Sequence, residues 1–148
     1  MEAILTPKGL RVLEIDARIP SQTPAAILQG TGVNLLEELM TTALGKPVNR
    51  KAVRGSSVYR HLVFKDGVLR SSGEKEFGKV RDPVIAQGLF GSEESISDYE
   101  SGKKEWRATL MHSGSTEEEV DEKCRRSIER ILDECSIDEF VDGVPEMV

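Results

Sequence analysis

Residues 11–24 read RVLEIDARIPSQTP, and three of them are spaced for charge chemistry. In an extended strand, positions i, i+2 and i+4 share one face. Glu14, Asp16 and Arg18 therefore align with Val12, while Leu13, Ile15 and Ala17 point the other way. Magnesium takes hard oxygen ligands, keeps several waters and is held by one or two carboxylates together with substrate phosphates, which Glu14 and Asp16 are spaced to provide. Arg18, one step further, would bind a phosphoryl oxygen without competing for metal. Glu2, across a tight Thr6–Gly9 hairpin, supplies a third oxygen if the register brings it to the same face. Ser21, Gln22 and Thr23 lie in the loop before a helix N-terminus, where substrate or phosphate can be hydrogen-bonded. The plainer alternative is a solvated strand face with a cross-strand ion pair, worth about 0–1 kcal/mol.

The elements that must position these residues are readable from pattern. Met1–Leu5 and residues 10–18 form a hairpin around Thr6-Pro7-Lys8-Gly9, with the apolar face expected against a packed wall. Thr23 as N-cap and Pro24 at the first helical position start a short helix over roughly residues 24–29, stopped by Gly30-Thr31-Gly32. Asn34 caps a second helix over 35–44, ended by Gly45. SVYRHLVF alternates as a strand, and Asp66-Gly67 is a two-residue hairpin turn returning VLRSS. Further strands are expected at Ile85–Leu89, Ser95–Tyr99 and Glu105–His112. Ser115 with Glu118, and Thr116 with Glu119, fit capping boxes opening a helix over about 116–134. Strands in runs with helices at both ends make the class α+β, with an antiparallel sheet. The expected division is 1–48, the hairpin with two short helices, and 49–148, a β-rich part closed by the long helix.

The chain has 148 residues, 20 basic against 26 acidic, for a net charge of −6. That balance argues against a nucleic-acid or anionic-membrane surface as the main partner. No run approaches the 18 or so apolar residues of a membrane span, and no secretory signal opens the chain. Cys124 and Cys135 fall in one expected helix about 16 Å apart, too far to bridge, so a reduced, cytoplasmic protein is the simplest reading. A strand with no lead-in suggests a chain that starts inside a larger fold.

The run MEAIL…KGLRVLEIDARIPSQTP resembles the metal-binding hairpin of the ATP-grasp ligases, whose last core strand carries Glu-x-Asn, here Glu-Ile-Asp, with an arginine two residues on. The fuller LEIDARIPSQTP…TGVNLLEEL is similar to the branch of that family acting in pyrrolysine biosynthesis. DYESGKKEWRATLMHSGSTEEEV…RRSIERIL resembles the segment that follows the core. Asp16 stands where most of the family has Asn. The likeness covers most of the chain but only the C-terminal part of an enzyme. The nucleotide-binding lysines, the phosphate loop and the N-terminal substrate domain have no counterpart. The resemblance implies ATP and Mg²⁺ as cofactors, with Glu2, Glu14 and Asp16 holding metal. It implies that Arg18 stabilises the transferred phosphoryl group, and that Ser21, Gln22 and Thr23 contact substrate. It also implies ligation of a D-ornithine-type carboxylate to the lysine ε-amine, by a chain inactive without the missing regions of the same enzyme.

Two other readings are carried alongside. One keeps the ATP-grasp fold with substrates of the carbamoyl-phosphate or biotin-carboxylase kind. The other is a non-catalytic module whose hairpin edge pairs with a partner chain. Exposed apolar surface where the missing domain should dock makes self-association, as a homo-oligomer, an expectation. His61 and His112 lack a Cys or His partner at ligand spacing and are read as structural or surface residues. Trp106, Cys124 and Cys135 are read as packing residues, and neither GTG nor GLFGS ends as a phosphate loop does.

Overall fold

A computed structural model describes residues 2–14, 19, 22–48 and 55–143. The first element is a two-stranded antiparallel ribbon, β1 (Glu2–Thr6) and β2 (Gly9–Glu14). Pro7 and Lys8 make the turn. Thr6 Oγ1 donates to the Gly9 carbonyl at 2.8 Å and accepts from the Lys8 N–H at 3.2 Å, while Gly9 takes φ +101°. Among the described residues no layer covers the ribbon. Leu13 is 66% exposed and Leu5 80%, and Ile4, Leu10 and Val12 are also open, so the packed wall expected beneath the charged face is absent among the described residues. Two strands alone cannot cover their own faces.

Helix α1 (Thr23–Thr31) starts one residue earlier than expected: Gln22 is the N-cap, without a side-chain capping bond, and Thr23 is the first helical residue. The helix also runs through Gly30 and ends at Gly32, which takes φ +74° and donates its N–H to the Leu28 carbonyl. Gly30 is therefore a contact glycine and not a stop. A Cβ there would lie 2.7 Å from Ser57 Oγ, and one on Gly55 would lie 2.0 Å from the Gly30 carbonyl oxygen. Ser57 Oγ donates to the Ala26 carbonyl at 2.6 Å, fixing the helix on the strand. Helix α2 (Leu35–Ala43) follows, with Asn34 Oδ1 accepting from the Leu36 and Glu37 N–H groups as its sequence predicts. Leu36, Leu39 and Met40 on this helix are exposed.

The main sheet has six strands in the order β5-β6-β7-β3-β4-β8. Its centre is β3 (Ser56–Lys65), flanked by β4 (Val68–Ser72) and β7 (Trp106–Gly114). Asp66 and Gly67 both take positive φ in the turn between β3 and β4, as a tight hairpin requires. On one side lie β5 (Val84–Ala86) and β6 (Glu94–Ser97), both shorter than the sequence suggests. The strand expected at 85–89 gives way to a 3-10 turn at Leu89–Gly91. Two elements had no sequence signal: helix α3 (Glu74–Phe77), and β8 (Glu139–Val141), which pairs parallel to β4. Helix α4 (Glu117–Glu134) is capped by Thr116, whose Oγ1 accepts from the Glu119 N–H at 3.2 Å.

Strand alternation sorts the sheet into two faces. Leu62, Leu69, Trp106, Ala108 and Leu110 meet Ile128 and Ile131 of α4 in the core. Ser57 and His61 point the other way, Ser57 to α1 and His61 onto the Phe77 ring of α3, 5.3 Å between centroids. The α+β class expected from the sequence is the class observed.

Candidate functional site

The two-residue turn sets the register of the ribbon from Thr6 opposite Gly9 to Ala3 opposite Val12, and beyond it Glu2 lies opposite Glu14. An irregularity between Glu2 and Ala3 brings this about: Ala3 pairs with Val12, so one extra residue of β2 is accommodated before Glu14. Asp16, Arg18 and Ser21 lie outside the described residues. Gln22 is only 5% exposed, and its Nε2 finds no hydrogen-bond acceptor. Thr23 is half-buried at the start of α1. Elsewhere, among the described residues, no group of three or more His, Cys, Asp or Glu side chains is placed to hold a metal ion.

The other residues with chemical potential are held in structural roles. His61 is buried, with Nδ1 2.7 Å from Thr109 Oγ1. His112 is also buried rather than at the surface, with Nδ1 3.3 Å from Glu93 Oε2 but no hydrogen bond formed at either ring nitrogen. Lys123 of α4 donates to Glu93 at 2.9 Å and to the Ser113 carbonyl. This cluster joins three elements far apart in sequence, and no local spacing announces it. Burial pushes the Cys124 thiol up to about 11, so it stays protonated and unreactive. Cys135 is a free thiol at the C-cap of α4. Trp106 is a core residue as expected, packed among Phe64, Phe90 and Tyr99.

Among known proteins, this chain is similar to a set of ligases. A protein of Methanosarcina acetivorans named 3-methyl-D-ornithine–L-lysine ligase is 33% identical over 132 residues, 86% of this chain. The chain is a partial relative of these ligases. The ligases of the same name from Methanosarcina barkeri and Methanosarcina mazei are 44% and 42% identical over 78 residues, 51% of the chain. The chain spans 35% of the length of the M. acetivorans ligase and 22% and 21% of the other two. No family model matches it. Among the described residues no helix is long and apolar enough to cross a membrane.

Proposed function

We propose that this chain forms the metal-binding hairpin and the following β-rich part of an ATP-grasp ligase of pyrrolysine biosynthesis. The observation that carries this reading is the 33% identity, over most of the chain, to a ligase named for joining 3-methyl-D-ornithine to L-lysine. In the proposed reaction a D-ornithine-type carboxylate oxygen attacks the γ-phosphorus of ATP, giving an acyl phosphate and ADP. The lysine ε-amine then attacks the acyl carbon, the amide bond forms, phosphate leaves and the nitrogen gives up a proton.

The residues suit magnesium. Carboxylates are the hard donors it prefers, and directly opposed positions of an antiparallel pair share one face of a ribbon. The register of Glu2 against Glu14 supports that pair as joint ligands, and Asp16, two residues on in the sequence, would be the third. When bound, the metal would neutralise phosphate oxygens during phosphoryl transfer. Arg18 would hold the transferred phosphoryl group through its guanidinium. Gln22, with a buried amide nitrogen lacking an acceptor, would donate to substrate, with Thr23 beside it at the start of α1; Ser21, their neighbour in sequence, would contact substrate as well. The partner regions, which would supply the remaining walls of the ATP site, are the N-terminal and ATP-binding parts of the same enzyme. The open faces of the ribbon support docking there.

Manganese is a paramagnetic probe of this site. Added to the chain, Mn²⁺ is expected to broaden the Glu2 and Glu14 amide signals, and excess Mg²⁺ to restore them. Glu14→Gln combined with Asp16→Asn should abolish the broadening without moving the thermal midpoint. Broadening that survives the double substitution removes the metal assignment. Incubated with ATP, Mg²⁺, D-ornithine and L-lysine, the chain alone should release no ADP.

A further inference from the structure

A cavity of about 430 Å³ opens between the segment after α3, strand β5 and the β6–β7 connection, within the roughly 300–1,000 Å³ range of small-molecule sites. Most of its charges are already fixed in pairs. Lys103 Nζ lies 3.0 Å from Asp98 Oδ2, and Asp98 Oδ1 accepts from the Arg107 N–H at 2.7 Å. The Arg107 guanidinium lies 2.8 Å from Glu105 and 3.7 Å from Glu76, and Glu76 also pairs with Lys79.

Three lining charges are left over. Among the described residues, the side chains of Arg81, Asp82 and Glu100 enter no ion pair or hydrogen bond. One guanidinium and two carboxylates are the complement of a molecule bearing one carboxylate and two ammonium groups. Val84 and Tyr99 add apolar surface to the same lining, suited to a methylene stem. Tyr99 is a firm wall, because its ring meets Phe90 and Trp106 edge-on at 4.9 and 5.2 Å.

We propose that this cavity binds a free diamino acid, with its carboxylate on Arg81 and its two ammonium groups on Asp82 and Glu100. The choice of L-lysine and D-ornithine as probes rests on the ligase reading, whereas the pattern of unpaired charges does not.

The test is titration of the ¹⁵N-labelled chain, without nucleotide or metal, with each diamino acid. Saturable shifts are expected at the amides of Arg81, Asp82, Val84 and Glu100. Norleucine lacks the ε-ammonium and cadaverine lacks the carboxylate, so each should bind about tenfold more weakly or worse. Arg81→Gln and Glu100→Gln should weaken L-lysine by a similar factor with the thermal midpoint unchanged. No shift with either diamino acid, equal binding of L-lysine, norleucine and cadaverine, or undiminished binding in Arg81→Gln overturns the proposal. Lysine binding without Mn²⁺ at the hairpin would remove the ligase reading alone. Mn²⁺ binding without lysine would remove this site alone.

Discussion

His112 is the most buried titratable residue among those described. It is 1% exposed on β7, faces Glu93 and, beyond it, Lys123, and makes no hydrogen bond at either ring nitrogen. Burial holds its pKa below the ordinary histidine value, and the attraction of Glu93 offsets this only in part. For Glu93, burial pushes upward, but the hydrogen bond and charge of Lys123 leave its carboxyl below the usual carboxylate range. A histidine with a native pKa below its unfolded value of about 6.5 lends stability that is complete above that value and is lost as pH falls beneath it. Glu93 acts in the same sense at lower pH, since its lowered native pKa favours the folded state until the carboxylate is protonated. Urea unfolding should therefore show a midpoint that falls between about pH 7 and pH 5, and His112→Leu should flatten that interval. An unaltered slope in the variant would place the acid sensitivity elsewhere.

At the scale of elements, the seat of α1 on β3 depends on two glycines. Helix propensity alone favours Gly30→Ala by about 1 kcal/mol. The added Cβ would lie 2.7 Å from Ser57 Oγ, and that clash should win, with a net loss of about 1–3 kcal/mol. Gly55→Ala should cost more, because it meets the Gly30 carbonyl at 2.0 Å and its φ is +129°. Urea denaturation measures both, and a Gly30→Ala chain as stable as its parent would mean that α1 is not seated there. In sequence this glycine reads as punctuation, because a helix stop and a close contact leave the same letter. The β3–β4 hairpin was legible because alternation and Asp-Gly are local signals. So was α4, although the Glu119 carboxylate reaches the Ser115 N–H and not that of Thr116 itself. The three-residue strands β5 and β8 are too short to show a period, and the pairing of β8 with β4 is made across the whole of α4. In the candidate site, Thr6-Pro7-Lys8-Gly9 announced the turn, but nothing local signals the irregularity that sets Glu2 opposite Glu14. The burial of Gln22 likewise comes from tertiary packing and not from its neighbours in sequence.

The molecule as a whole pairs a sheet covered on both faces with a ribbon and a helix that are not. Leu5, Leu13, Leu36, Leu39, Met40 and Leu44 leave a large apolar area on β1, β2 and α2 without a cover. Surfaces of this kind drive association. Sedimentation of the chain should depend on concentration, and Leu5→Lys with Leu13→Lys should suppress that dependence without changing the thermal midpoint. Sedimentation as a monomer at every concentration would overturn the association. One face of the main sheet is sealed by α4, with Cys124, 8% exposed, on its sheet-facing side. An alkylating reagent reaches that sulfur only when the helix lifts from the sheet and the thiol can ionise, whereas Cys135 stands at the helix end, partly open. The chain thus contains its own timer. The lag between modification of the second thiol and of the first records how often the helical layer comes away, without any label being introduced.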